Sequence, residues 1–392
     1  MSITNSIQNE NKKPLHIPSD VIEEILFFIQ EDDLETLHSC SLINRQWCQL
    51  VIPKLWKHPF YYAQKGNSKL ISLILSFLKD IQKESLIYNG IILSSTTTFN
   101  SNYRSKFNYI SMIKHLHYDF MLISVEEWCK QLTFAPVNVV SLIIKIILKL
   151  FIDNSVKLNS LFIWPSHVRW RHYNLNRYIE LVEPEFNGLI ENLKFLHVET
   201  HSHYPSANFI QKLSLIVRNV EILHLRTPLL GLMRFPNSME DNMAKSLCTL
   251  IQSQNNLKEF KLVNSIRYTS SFIASLSIHT NNLKSIILFD TKIDEIDTWK
   301  TLTNCFNLEN FEIINCVGLH DEFILPFNNI INWKKLKWIS IEKNQPSDVN
   351  DELKLWIINR YKKGLNDYGF GKLFDNFINV SKGNENGDII IK

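Results

Sequence analysis

The chain has 392 residues, of which 45% are hydrophobic and 11% aromatic, so it is long enough for two or three domains or for one long repeat array. Its formal net charge is +3, and this near balance gives no indication of nucleic acid or an anionic membrane as a partner. None of the six cysteines belongs to a C-x-x-C pair, and the N-terminus has no apolar signal region. Both features are typical of a cytoplasmic or nuclear protein with reduced thiols.

A first helix is predicted shortly after a polar segment, residues 1–13, that we expect to be disordered. Pro18 ends any earlier helix, and Ser19 or Asp20 can serve as the N-cap. The apolar residues that follow recur at helical spacing and cover more than a third of the helix circumference.

Two further helices are predicted before residue 58. The acidic residues 31–33 mark the start of the second helix, and Asn44 can cap the third. We expect the third helix to end near Val51 or to restart at Pro53, because proline is disfavoured in a helix interior.

These three helices carry at least ten large apolar side chains in about 45 residues, more than so small a unit can bury by itself. One interpretation is that the side chains pack on the rest of the chain. The other is that part of the apolar surface docks onto the helices of a partner protein.

The segment 14–58 resembles the F-box in an ordered series of residues along its whole length. It differs in having Ile17 where leucine is usual and Ile43 and Asn44 where a Val-Cys pair is common, and its first loop is somewhat short. The matching residues are Ile17, Pro18, Asp20, Ile25, Leu26, Asp33, Leu34, Leu42, Trp47, Leu50, Leu55 and Trp56.

This resemblance implies a role in protein ubiquitination. F-box proteins are substrate receptors of SCF-type (Skp–cullin–F-box) E3 ubiquitin ligases: the box binds the Skp-type adaptor, the adaptor binds the cullin, and the rest of the chain selects the substrate. The chain would then be a non-catalytic adaptor, without catalytic residues or a cofactor. The residues expected to bind the Skp-type adaptor are Ile17, Pro18, Ile22, Ile25, Leu34, Leu42, Trp47 and Trp56.

Residues 59–157 are predicted to form either a helical linker or early repeats that are too degenerate to recognise. Their most apolar run, residues 137–152, contains Lys145 and Lys149. Because a membrane-spanning helix needs about 20 apolar residues, this shorter run predicts a buried helix of a soluble protein.

From Leu158 onwards the motif L-x-x-L-x-L recurs, with apolar substitutions. The alternation predicts a short strand with one buried face, and the stretches between copies are compatible with helices. Four of the six intervals are 25–28 residues long, and two copies carry the Asn or Cys that a leucine-rich repeat has eight residues after its start, at Cys316 and Asn344. The seven copies begin at Leu158, Leu193, Val220, Leu257, Leu283, Leu308 and Leu336.

The predicted fold class is therefore α+β or α/β, with the three-helix F-box followed by an irregular leucine-rich-repeat α/β solenoid over residues 158–345. An ordinary α/β domain with coincidental motifs is the alternative. Residues 346–380 are expected to cap the open end of the array, and residues 381–392 to form a disordered tail.

A segment rich in arginine and aromatic residues follows the first predicted repeat strand. Trp, Tyr and Arg dominate protein interfaces, so this segment predicts a contact with the protein substrate, although single-stranded nucleic acid uses the same residue types. The candidate residues are Trp164, Arg169, Trp170, Arg171 and Tyr173.

Two other patterns in the sequence resemble ligand sites. The histidines at 115, 117, 197, 201 and 203 have spacings that metal sites use, but no Cys or carboxylate cluster completes a ligand set in the sequence. Residues 364–372 are rich in glycine, yet Phe370 stands where a phosphate loop needs lysine. Neither pattern predicts a metal or nucleotide site.

The sequence thus predicts a substrate-recognition subunit of a ubiquitin ligase with an unknown protein substrate, no nucleic acid and no membrane as partner. Two alternatives remain. The first is a leucine-rich-repeat scaffold whose N-terminal helices merely cap the array. The second is an RNA-binding repeat protein that uses residues 164–178, for which the near-neutral charge is unfavourable.

Overall fold

The computed structural model describes residues 17–30, 33–61, 63, 66–91, 107–132, 138–165, 178–200, 205–227, 237–293, 296–317, 335, 337–342, 380–382 and 389–391. The chain divides into two compact units, Met1–His58 and Pro59–Lys392.

The first unit consists of three helices, α1 (Ser19–Phe28), α2 (Leu34–Ser41) and α3 (Arg45–Trp56). The side chains that precede α2 and α3 cap them, because Asp33 accepts a hydrogen bond from the Thr36 amide at 3.0 Å and Asn44 accepts one from the Trp47 amide at 3.1 Å. The core of the unit is small and contains Ile22, Leu26, Leu37, Trp47 and Val51.

Two local expectations about these helices were wrong. Helix α1 begins at Ser19, directly after Pro18, and no side chain caps it. Helix α3 continues through Pro53 to Trp56. Pro53 is exposed, and the continued helix packs Leu55 against the core of the unit, which compensates for the hydrogen bond that proline cannot donate.

The second unit is a parallel β-sheet with helical connections. Its helices are α4 (Ser68–Ser76), α5 (Asp80–Tyr88), α6 (Tyr118–Cys129), α7 (Val139–Asp153), α8 (Asn187–Ile190), α9 (Ala207–Ile216), α10 (Asn237–Gln252), α11 (Thr269–Ala274) and α12 (Ile296–Thr303). Its strands are β1 (His115–His117), β2 (Ser160–Ile163), β3 (Phe195–Glu199), β4 (Ile222–Arg226), β5 (Glu259–Val263), β6 (Ser285–Phe289), β7 (Asn310–Ile314) and β8 (Trp338–Glu342).

The eight strands pair in chain order, and every pair is parallel. The prediction of a mixed α/β chain is confirmed. Strands β2 to β8 each begin two residues after the start of one of the seven sequence motifs. Strand β1 is an additional edge strand from the region 59–157, where no motif was recognised.

One face of this sheet is packed into the core. The three apolar positions of each of the first six motifs are buried. Because the strands are in register, the second position of each of these six motifs, together with one residue of β1, forms a continuous row of buried side chains across the sheet. This row contains Leu116, Leu161, Leu196, Leu223, Phe260, Ile286 and Phe311.

A residue with a left-handed backbone follows each of the strands β5, β6 and β7. These residues are Asn264, Asp290 and Asn315, with φ angles of 57°, 50° and 57°. Asn and Asp tolerate this conformation better than other non-glycine residues. The amides of Asn264 and Asp290 still donate to the next strand, at 2.9 Å each, so the backbone turns at the strand ends without losing these hydrogen bonds.

The next residue in each of these three copies is small, polar and buried. Ser265 and Thr291 occupy the position at which Cys316 was recognised as a repeat residue. The hydroxyl oxygen of Thr291 lies 3.1 Å from Cys316 Sγ. Ser265 and Thr291 thus supply the buried small polar group in these two copies, which lack Asn or Cys at this position.

Helix α7 contains the most apolar run of the chain. Lys145 on this helix lies 2.9 Å from a Glu183 carboxylate oxygen, and seven of its apolar side chains are buried. Among the residues that the structure describes, no helix combines the length and the hydropathy that crossing a membrane requires.

The C-terminal residues differ from the predicted disordered tail. Strands β9 (Val380–Lys382) and β10 (Ile389–Ile391) form an antiparallel pair, for which three consecutive isoleucines supply strong β propensity. The rest of the predicted cap, residues 346–379, lies outside the described residues.

Candidate protein-docking surfaces

An exposed apolar surface covers part of the first unit. Phe27 and Phe28 at the end of α1 are 80% and 83% exposed, and Leu42 between α2 and α3 is 72% exposed. We call the exposed apolar residues of this unit the docking patch. They are Val21, Ile25, Phe27, Phe28, Leu42 and Ile43.

The structure places the eight predicted adaptor-binding residues in three environments. Pro18, Ile25 and Leu42 are exposed, and Ile17, Leu34 and Trp56 are partly buried. Ile22 and Trp47, in contrast, belong to the core of the unit. Ile22 exposes none of its surface and Trp47 only 8%, so these two residues form the interior of the unit and offer almost no surface to a partner.

Four residues of the docking patch were not among the predicted contacts, namely Val21, Phe27, Phe28 and Ile43. Helical spacing in the sequence could have predicted two of these residues. Val21 and Phe28 lie four residues before and three residues after Ile25, on the same helix face. Phe27 and Ile43 have no such spacing signal, and their exposure is decided by the way the three helices pack.

The outer face of the sheet in the second unit is the other candidate surface. Side chains that alternate with the core positions line this face, as the two-residue period of a strand requires. In the register of strands β1 to β5, one row on this side of the sheet contains His117, Phe162, His197, His224 and Lys261. His117, at the β1 edge, is buried, and the other four side chains are partly buried.

Aromatic and imidazole rings pack on each other along this row. The rings of His117 and Phe162 are stacked with centroids 4.0 Å apart and an interplanar angle of 7°. Phe195 contacts Phe162 at 5.0 Å and His224 at 4.9 Å. We call these packed rings, those of His117, Phe162, Phe195 and His224, the aromatic shelf.

The ionic groups next to this shelf are largely paired within the protein. His224 Nε2 lies 2.8 Å from a carboxylate oxygen of Glu259 on the neighbouring strand. Burial, together with the nearby basic side chains of His224, Arg226 and Lys261, lowers the pKa of His197 to about 4. His197 is therefore neutral at physiological pH.

A buried carboxylate anchors the backbone beside the shelf. Asp119, in the first turn of α6, accepts hydrogen bonds from the Tyr178 hydroxyl and the Trp164 backbone amide. Burial raises the pKa of the Asp119 carboxyl to about 6, although both hydrogen bonds act in the opposite direction. Residues that are far apart in the sequence are thus joined at one side chain.

Of the five predicted substrate-binding residues, only Trp164 lies within the described residues. It is partly buried, and its ring packs near Phe120 and His197, with centroid distances of 6.2 and 5.7 Å. Arg169, Trp170, Arg171 and Tyr173 lie outside the described residues.

The histidine pattern and the glycine-rich pattern of the sequence give no metal or nucleotide site among the described residues. In the described part of the chain, no group of three or more His, Cys, Asp or Glu side chains is arranged to hold a metal ion. His115 and His117 lie on β1, and His197 lies on β3, while His201, His203 and residues 364–372 are outside the described ranges.

Comparison with known proteins does not assign the chain to a family. No protein-family model matches it, and no curated protein is significantly similar to it in sequence.

Proposed function

We propose that the chain is a non-catalytic substrate receptor of an SCF-type E3 ubiquitin ligase. In this proposal the first unit is an F-box that docks onto a Skp-type adaptor, and the parallel strands of the second unit are repeats of a leucine-rich-repeat solenoid that binds the protein substrate. The docking patch is the observation that carries the proposal.

The size of the docking patch supports a partner made of protein. Full burial of a large apolar side chain is worth roughly 1.5–3 kcal/mol, and Phe27 and Phe28 leave about four-fifths of their surface exposed. Among the described residues of this unit, five form the buried core. An apolar patch of this kind on so small a core is typical of a helical docking surface.

The second unit supports a role in binding through its regularity. Eight parallel strands in chain order present one continuous outer face, and a repeat architecture of this type offers an extended surface to a protein ligand. A substrate held there would be brought close to the conjugating enzyme, so that proximity is what this chain contributes.

The experiment that tests the proposal is co-purification of the full chain with a Skp-type adaptor, using two matched variants. Ile25→Asp places a charge in the docking patch, and Ile81→Asp makes the same change at an exposed residue of α5 in the second unit. Burying an unpaired carboxylate costs several kcal/mol, so we expect Ile25→Asp to lose the adaptor and Ile81→Asp to retain it.

Circular dichroism of both variants would show that they are folded. Adaptor binding by a folded Ile25→Asp protein with unchanged affinity would refute the docking patch as the interface. Absence of any complex with the unsubstituted chain would favour the repeat scaffold without a ligase role.

A further inference from the structure

A row of charged residues runs along the edge of the sheet at which the strands begin. Each strand is preceded by one residue of this row, and the row is continuous because the backbone amide of each member after the first donates to the carbonyl of the member before it, at 2.7–2.9 Å. We call this row the edge ladder. In spatial order it contains Lys114, Asn159, Lys194, Glu221, Lys258, Lys284, Glu309 and Lys337.

The edge ladder carries an excess of positive charge in a line. Five lysines stand against two glutamates, so the ladder alone has a net charge equal to that of the whole chain, +3. Parallel strands are about 4.8 Å apart, so the eight members extend over about 34 Å. This is the length of an extended segment of about ten residues.

The two glutamates are each held between two lysines. Glu221 lies 3.0 Å from Lys194 Nζ and 2.6 Å from Lys258 Nζ. Glu309 lies 3.1 Å from Lys284 Nζ and also contacts Lys337. Each glutamate therefore draws its two lysines towards itself.

The centre of the ladder has no acidic member. Lys258 and Lys284 are neighbours, joined by a 2.7 Å backbone hydrogen bond, and their ammonium groups pair with different glutamates on opposite sides. A second lysine pair, Lys114 and Lys194, is separated only by the neutral Asn159. Each Lys–Glu–Lys group keeps a net charge of +1 and Lys114 adds a further positive charge, so an added carboxylate is attracted to the ladder at both steps.

We infer that the edge ladder is an interaction surface for an acidic, Asp/Glu-rich segment of a partner protein. Carboxylates of that segment lie against the lysine side chains at the Lys258–Lys284 and Lys114–Lys194 steps, where the ladder has no carboxylate of its own. The inference deepens the proposed function by giving a chemical class to the target, and it rests on that function only for the identification of the partner as the substrate.

An acidic protein segment fits the ladder better than a nucleic acid does. The interspersed Glu221 and Glu309 carboxylates repel a continuous phosphate backbone, and no member of the ladder is an aromatic residue on which a base could stack. Carboxylates spaced along a peptide can meet the lysine steps and avoid the two glutamates.

The test is fluorescence anisotropy of the full chain with a labelled Glu-Ser repeat peptide of about twelve residues. A Gln-Ser peptide of the same length is the uncharged control, and oligouridylate is the nucleic-acid control. Because surface charges are screened beyond a Debye length of about 8 Å at physiological salt, binding is measured at low salt and again at about 0.2 M.

Two double variants remove the same charge from different places. Lys258→Gln with Lys284→Gln changes the centre of the ladder, and Lys212→Gln with Lys245→Gln changes exposed lysines of α9 and α10. We expect the first pair to weaken binding of the acidic peptide about tenfold and the second pair less than about twofold. The conservative Lys258→Arg/Lys284→Arg variant retains binding.

Three results would overturn the inference: equal affinity for the Glu-Ser and Gln-Ser peptides, equal weakening by both glutamine pairs, or tighter binding of oligouridylate. If the double glutamine variant does not fold, Lys284→Gln alone is the replacement. The adaptor experiment is independent of this one, so binding of the acidic peptide by a chain that fails to bind the adaptor would retain the edge ladder and reject the ligase role.

Discussion

The buried carboxylate of Asp119 gives the sharpest test of the energetics of the second unit. Its pKa is raised from an ordinary 3.8 to about 6, a difference of about two units. At 1.36 kcal/mol per unit, the ionised carboxylate destabilises the folded state by roughly 3 kcal/mol relative to its protonated form.

The sign of the pH dependence follows from which state binds the proton more tightly. Because the pKa of Asp119 is higher in the folded state than in the unfolded state, the folded protein holds the proton between about pH 4 and pH 6 while the unfolded chain releases it. The contribution of Asp119 is thus fully favourable below about pH 4, and stability is lost as the pH rises through about 6.

Two substitutions separate the charge from the hydrogen bonds. In Asp119→Asn the side-chain oxygen still accepts from the Trp164 amide, and the Tyr178 hydroxyl rotates to accept from the new amide group. The unsubstituted chain loses this stability as the pH rises from 4 to 7, whereas the variant does not. We therefore expect the free energy of unfolding of Asp119→Asn, relative to that of the unsubstituted chain, to be about 3 kcal/mol higher at pH 7 than at pH 4. Asp119→Ala leaves both donors without an acceptor and costs roughly 1–3 kcal/mol for each.

The assay is urea denaturation of the three proteins at pH 4 and pH 7, with hydrogen exchange of the peptide that contains Trp164 as the local measurement. Equal pH dependence in Asp119→Asn and the unsubstituted chain would contradict the burial of the charge. Equal stability of Asp119→Asn and Asp119→Ala would contradict the role of the hydrogen bonds.

Three further predictions concern the sheet. Asn264→Ala should lower the free energy of unfolding by about 1–2 kcal/mol because of its positive φ, while Asn264→Gly keeps it nearly unchanged; thermal melting of both variants checks this. Leu223→Ala, on the core face, should cost about 2–5 kcal/mol, more than Ile222→Ala on the outer face, as measured in urea. Hydrogen bonds from Lys337 and Lys284 lower the pKa of Glu309, so its stabilising effect is present above its unfolded pKa of about 4.3 and is lost as the pH falls through the lower folded value. Glu309→Gln should therefore melt below the unsubstituted chain at pH 7 and together with it in strong acid, and equal melting at pH 7 would contradict the ion pairs.

Several elements could be predicted because the signal was local. The L-x-x-L-x-L alternation at Leu223 or Phe260 defines which residues face the core, since successive residues of a strand point to opposite faces. The helix cap at Asn44 could also be predicted from the sequence, because its hydrogen bond joins residues only three positions apart. In both cases the residues that decide the structure lie within one short window.

Other features depended on contacts between distant segments. Strand β1 has no leucine motif, and it is recognisable only because it pairs with β2 across more than forty residues. Helix α3 passes through Pro53 because packing of Leu55 outweighs a local preference. Ile22 and Ile25 are apolar residues of the same periodic stripe on α1, and the packing of the three helices decides that Ile22 is buried and Ile25 is exposed.

The sequence by itself determined that this chain has a helical N-terminal segment and a long series of short strands with one buried face, because hydrophobic periodicity is a property of neighbouring residues. The tertiary structure alone decided the order and register of the strands. That register brings Lys258 beside Lys284 and joins Trp164 and Tyr178 at Asp119. These contacts join residues that are 26 to 59 positions apart in the sequence. Residues so far apart come into contact only when the sheet and its connections fold together.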